Sequence, residues 1–191
     1  MASDTLKGKK VAILVAKGFE QVELTEPKAA LERAGAKTDI VSIEKDTVRA
    51  WNHTDWGDTF DVDVHIADAR AEDYDALVLP GGVMNPDFLR MDDRAVNFIK
   101  SFVKAGKPIG AICHGPWTLI EAQAVRGRKM TSYPSLRTDL SNAGANWIDA
   151  EVVVDNGLVT SRNPHDLPAF NRKIVEVFAE GRHGAGRHAA E

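Results

Sequence analysis

The sequence predicts an α/β domain with a largely parallel sheet and helices on both faces. Two observations predict it. Short, continuous apolar runs recur at Lys10–Ala16, Ala76–Pro80 and Pro108–Ile112, the mark of strands buried on both faces. Helix-length segments separate the strands, as βαβ units require. In such sheets the active site lies outside the carboxyl ends of the strands. Three segments fall there: Gly18-Phe19-Glu20, Pro80-Gly81-Gly82 and Cys113-His114.

The remaining elements follow in order. Glu20 to Ala34 reads as an amphipathic helix with apolar Val22, Leu24, Ala29, Ala30 and Leu31, ended by Gly35 as a C-cap. Thr38 to Ile43 reads as the second strand. Glu44 to Asp68 fits no helical period, holds Trp51 and Trp56, and is expected to form a short β-excursion. Arg94 to Ala105 is a helix closed by Gly106, and another runs from the Cys113 elbow to about Ala122. Ala150–Asp155 and Leu158–Ser161 form a hairpin around Asn156-Gly157. The last helix spans Pro164 to Glu180, with proline at a position that tolerates it. The expected organisation is one domain over residues 1–180 and a frayed, glycine-rich tail over 181–191 whose histidines are solvated.

Composition narrows the classes of function. Of 191 residues, 43% are hydrophobic and 27% charged, with a formal net charge of −4. That charge gives no electrostatic case for binding nucleic acid or an anionic membrane. No apolar run approaches the length of a membrane span or a secretory leader. The expected compartment is therefore the cytoplasm, whose reducing conditions suit a lone thiol.

Cys113 is the only cysteine, so it makes no internal disulfide and is either small core filler or a reactive group. Its place at a strand-to-helix elbow, between small residues, favours reactivity, because a helix start stabilises thiolate. The elbow predicts a thiol titrating below the ordinary value of about 8.5. Gly81 and Gly82 offer backbone N–H groups with no side chain in the way, an oxyanion site in form, although Pro-Gly-Gly also makes a plain turn. His114 is the nearest base in sequence, yet neighbours on a regular helix do not face each other. Glu20 and Asp87 each suit a helix start in any case. Asp61, Asp63 and His65 alternate with Val62, Val64 and Ile66, which puts three polar groups on one strand face. Such alternation is usual for a half-exposed strand, so no metal or other cofactor is expected. His165 and Asp166 read as capping and surface groups, with lining of the site mouth as the lesser alternative.

Taken together, Ala111–Pro116, Leu79–Gly82, Gly18–Leu24, Thr131–Pro134 and Asp149–Asp155 resemble the PfpI family of intracellular cysteine peptidases. The resemblance runs from about Lys9 to Glu180. It implies a flavodoxin-like fold of the class I glutamine amidotransferase-like type. It also implies roles: Cys113 as nucleophile, His114 as its partner, Glu20 hydrogen-bonded to the sulfur, and an oxyanion hole built by Gly81, Gly82 and the His114 backbone. In PfpI-type proteins a glutamate of an Ala-Pro-Glu segment, delivered by a neighbouring subunit, orients the histidine. Asn85-Pro86-Asp87 stands there in this chain, so Asp87 is the implied third group, one methylene shorter, and a homodimer or larger homo-oligomer is implied with it. Members are described as peptidases, as deglycases or glyoxalases acting on methylglyoxal and its adducts, or as stress proteins. The expected function is a stress-related cysteine hydrolase or lyase whose substrate is a peptide or a small carbonyl compound. The alternative is a redox-sensing or chaperone-like stress protein that uses an oxidisable Cys113 without turnover.

Overall fold

The computed structural model describes residues 4–183. In chain order its elements begin with β1 (Lys10–Val15), α1 (Gln21–Arg33), β2 (Lys37–Ser42), β3 (Thr47–Asn52), β4 (Asp55–Asp61) and β5 (Val64–His65). There follow β6 (Ala76–Leu79), α2 (Met84–Met91), α3 (Asp93–Lys104), β7 (Ile109–Ile112) and α4 (Trp117–Glu121). The last are β8 (Lys129–Met130), α5 (Arg137–Asn142), β9 (Asn146–Trp147), β10 (Val153–Asp155), β11 (Leu158–Ser161) and α6 (Leu167–Glu180).

Seven strands form the central sheet in the order β10-β11-β7-β6-β1-β2-β5. Every pairing is parallel except the β10/β11 hairpin. Alternation along the strands sends successive side chains to opposite faces. Ala12, Leu14, Leu77, Leu79 and Ala111 pack with Leu89, Phe98, Ile99, Phe102 and Leu119 from α2, α3 and α4. On the other face Val11, Ile13, Val15 and Val78 pack with Leu24, Leu31, Phe170 and Ile174 from α1 and α6. The result is the predicted flavodoxin-like sandwich with two cores.

From β1 the chain adds β2 and β5 on one side, then returns to place β6 on the other. The switch in winding therefore falls between β1 and β6, where the connecting loops diverge and open a crevice at the strand ends.

The Asn156-Gly157 turn has φ of 43° and 81°, both positive as a two-residue hairpin requires. The stretch after β2 is a β-excursion as expected: β3 and β4 pair antiparallel with a bulge between Arg49 and Trp51. The helix expected to start at the Cys113 elbow starts later. Residues 113–116 are turns, and α4 opens only at Trp117. Asp61, Asp63 and His65 do not share one strand face. Asp61 ends β4, His65 lies in β5, and the Asp63 carboxylate between them accepts the Ile40 N–H at 2.7 Å. After α6, the His183 N–H donates to the Gly106 carbonyl at 2.8 Å. The rest of the expected tail, 184–191, lies outside the described residues. Among the described residues no helix is long and apolar enough to cross a membrane.

Candidate active site

Cys113 follows β7 with φ of 60°, a conformation rare for residues other than glycine. The elbow is held in it by its own backbone: Cys113 N–H donates to Ser161 O at 3.0 Å, and Tyr133 N–H donates to Cys113 O at 2.8 Å. Beyond it, Gly115 passes so close to β6 that a Cβ there would collide with the Leu79 carbonyl. This kink brings side chains of adjacent residues together, which a regular helix would not. Sγ of Cys113 lies 3.2 Å from Nδ1 of His114. The backbone N–H groups of Gly82 and His114 also point at the sulfur.

The carboxyl beside the sulfur belongs to Glu23, not to Glu20 as the family resemblance implies. Glu20 is the N-cap residue of α1, and its Oε1 accepts the His53 N–H at 3.2 Å. Glu23 sits in the first turn of α1, where side chains lean back toward the helix start, here toward the ends of β6 and β7. It is fully buried, and its Oε2 accepts the Gly81 N–H at 2.8 Å. Burial pushes its pKa up to about 8, and Cys113 is its hydrogen-bonding neighbour. At neutral pH Glu23 is therefore a carboxylic acid. Oε2 is occupied as an acceptor, and Oε1 is buried without a nitrogen or oxygen partner.

Burial also pushes the Cys113 thiol up, and a charged Glu23 would raise it further. The elbow alone suggests a lowered value. Desolvation of a residue only 7% exposed wins over the two N–H donors, and no helix start stands directly at the sulfur. His114 is pushed down by burial and stays neutral at pH 7, with a lone pair available. Glu23, Cys113 and His114 thus form a contiguous row of titratable groups, with the thiol between the buried carboxyl and the imidazole.

Two glycines make room for this packing. At Gly81 a Cβ would meet Cys113 Cβ at 2.6 Å and collide with the Glu23 carboxyl. Gly82 has φ of 75°, and a Cβ there would strike the Gly18 carbonyl. Asn85, fully buried, ties the loops together: its side chain accepts the Ala16 N–H at 2.7 Å and donates to the Pro80 and Gly81 carbonyls at 3.0 Å each.

A cavity of about 450 Å³ opens over the sulfur. Its walls include Trp51, His53, Met84, Tyr133 and Pro164, with Glu20, Glu23, Cys113 and His114 at the polar end. The β3/β4 hairpin delivers Trp51 and His53 by docking on the start of α1, where Trp51 N–H donates to Phe19 O at 2.7 Å.

A profile of the DJ-1/PfpI family matches residues 9–177. The chain belongs to this family. A Staphylococcus epidermidis protein is 49% identical over 170 residues, covering 88% of this chain and 96% of its own length. Two Bacillus subtilis members are similarly close. "General stress protein 18" is 48% identical, over 90% of this chain and 98% of its own, and "Putative cysteine protease YraA" is 47% identical, over 89% and 98%. Drosophila melanogaster DJ-1beta superposes with a TM-score of 0.81 at 30% identity over 90% of both chains. An Anabaena variabilis protein with DJ-1/ThiJ/PfpI-like and ferritin-like domains gives 0.83 at 33% identity. It is matched by 96% of this chain, which spans about half of its length, 52%.

Asp87 does not reach this site within the chain. It lies exposed on α2, whose Leu89 and Phe88 pack into the chain's own core. The apolar side chains left exposed around α2 are Val83 and Met91, at 58% and 72%. Asp166, expected at the surface, is buried and fixed by the Arg162 guanidinium at 2.9 and 3.0 Å. That pair holds the loop whose Pro164 lines the cavity. Glu23, Asn85 and Tyr133 went unassigned at the sequence level. Glu23 carried a signal, its place one turn after Glu20 in a helix that starts at the strand end.

Proposed function

We propose that this DJ-1/PfpI protein is a stress-related cysteine hydrolase or lyase in which Cys113 attacks a carbonyl carbon. The substrate is a peptide, or a small dicarbonyl compound or the adduct it forms. The observation that carries the reading is the Cys113 sulfur at the floor of an open cavity, 3.2 Å from the His114 Nδ1 and faced by two backbone N–H donors. On attack, the S–C bond forms and the carbonyl π pair moves to oxygen, where the Gly82 and His114 N–H groups receive it. The thiol proton passes to Nδ1, and Glu23 remains protonated to steady the sulfur. The imidazolium then returns its proton to the substrate oxygen or the leaving group.

A proton acceptor 3.2 Å from the sulfur supports turnover over the sensor reading. Cavity size also favours a ligand of several heavy atoms over a bare oxidant. The cytoplasm is the compartment proposed, and a homo-oligomer the working form, with the exposed Val83 and Met91 beside Asp87 as its contact face.

Purified protein assayed with methylglyoxal and with peptide amides, against Cys113→Ser, tests the proposal. Turnover of at least one substrate, lost by roughly 10³-fold or more in the variant, is expected for a nucleophile. Equal rates in both proteins would overturn it.

A further inference from the structure

His114 has two ring nitrogens, and the attack on a carbonyl uses only one. Nδ1 faces the Cys113 sulfur; Nε2 lies 3.2 Å from Oγ of Ser135. Ser135 belongs to the 3₁₀ turn Pro134–Leu136 of the same chain. That turn is fastened to the elbow on two sides. Tyr133 N–H donates to Cys113 O at 2.8 Å, and the Tyr133 ring stacks on the imidazole with centroids 4.6 Å apart and planes 22° from parallel. Stacking fixes the plane of the His114 ring, and within that plane a hydroxyl waits at Nε2.

We propose that Ser135 is the positioning residue of His114, its hydroxyl oxygen accepting the Nε2–H and thereby leaving Nδ1 as the lone pair that faces sulfur. In a neutral imidazole one nitrogen carries hydrogen and the other accepts, and the partner of the first decides the tautomer. Were Nδ1 to carry the hydrogen, His114 would present a donor to the thiol and have no means of taking its proton. A carboxylate at Nε2 would set the same tautomer, but it would also stabilise imidazolium. A neutral hydroxyl sets the tautomer without that charge, in keeping with a His114 whose titration is governed by burial alone. Imidazolium formed during attack then gives its proton back readily. Within one chain Asp87 is exposed on α2 and makes no contact with His114, so the variants below weigh it against Ser135.

The importance of the tautomer for turnover rests on the function proposed above, but the tautomer exists in the resting protein and is measured there. In the full-length, ¹⁵N-labelled protein in its native assembly, long-range ¹⁵N correlation spectra distinguish a protonated Nε2 from a protonated Nδ1. Wild type is expected to show protonated Nε2. Ser135→Ala is expected to shift His114 toward a tautomer mixture, Ser135→Thr to restore the wild-type pattern, and Asp87→Asn to leave it unchanged. Where a carbonyl substrate is turned over, Ser135→Ala lowers kcat about 10-fold with KM little changed, the low end of what loss of the hydrogen-bond partner of a metal-bound histidine costs. Protonated Nδ1 in wild type, or an unaltered pattern in Ser135→Ala, would overturn the proposal. So would a shift caused by Asp87→Asn alone, which would assign the orientation to the carboxylate. Failure of every substrate would sink the enzymatic reading, whereas the ¹⁵N spectra would still decide which nitrogen of His114 carries the hydrogen and whether Ser135 holds it there.

Discussion

Glu23 turns one carboxyl oxygen to the Gly81 amide, at 2.8 Å, and keeps the other buried beside the Cys113 thiol. This relationship joins the ends of three strands, because Glu23 follows β1, Gly81 follows β6 and Cys113 follows β7. It makes the reactivity of the thiol a property of a buried acid on another element.

The pH dependence of thiol alkylation follows from it. Burial and the charge of ionised Glu23 both raise the Cys113 thiol, so the wild-type rate climbs only above the ordinary thiol value of about 8.5. Glu23→Gln removes the charge and keeps a donor, so its inflection moves to lower pH. Glu20→Gln, which alters a carboxyl bound to the His53 amide, leaves the inflection where it is. Stopped iodoacetamide labelling across pH, read by mass, checks both.

Stability carries a matching signature. The Glu23 pKa is raised from 4.5 to about 8 in the folded protein, so between those values the folded chain holds a proton that the unfolded chain has released. Stability therefore falls as pH rises through that window, by at most about 1.4 kcal/mol per pH unit. Glu23→Gln lacks this term. Thermal melts of the variant and wild type should be closest near pH 4.5 and separate in favour of the variant toward pH 8. Curves that stay parallel would show Glu23 ionised at neutral pH.

Gly81 has no room for a methyl group, which would press on Cys113 Cβ at 2.6 Å and on the Glu23 carboxyl. The Gly81 N–H donates to Glu23 and is not itself an oxyanion donor. Gly81→Ala is nonetheless expected to keep the fold and, by shifting Cys113 and the adjoining Gly82 N–H, to cut turnover by roughly 10²-fold or more. Circular dichroism together with steady-state rates separates this outcome from unfolding.

Much of this architecture is legible in the sequence because apolar runs such as Lys10–Ala16 and Pro108–Ile112 are long-range burial written locally. The Asn156-Gly157 hairpin is equally direct, since its backbone angles demand those residues. The positions of Cys113, His114 and the two glycines at strand ends are legible, but not that the Gly81 N–H, expected in the oxyanion site, is taken by Glu23. Which glutamate meets the sulfur is not, because Glu20 and Glu23 differ only by one turn of α1, and side-chain lean decides between them. The raised thiol is hidden too. Desolvation depends on how the β3/β4 hairpin and the Tyr133 segment cover the elbow, and neither is near Cys113 in sequence. Short elements such as β8, β9 and α5 escape for want of any period long enough to see.

Whether Cys113 is a nucleophile toward carbonyl carbon is tested most sharply by ¹³C NMR of the protein with a peptide aldehyde labelled at its carbonyl carbon. A thiol nucleophile in this cavity converts that carbon to a tetrahedral thiohemiacetal bonded to Cys113. A new signal from a saturated carbon is expected in wild type, absent in Cys113→Ser and present in Asp87→Asn. Spectra showing only free aldehyde and its hydrate in wild type, at concentrations that saturate the cavity, would rule that role out.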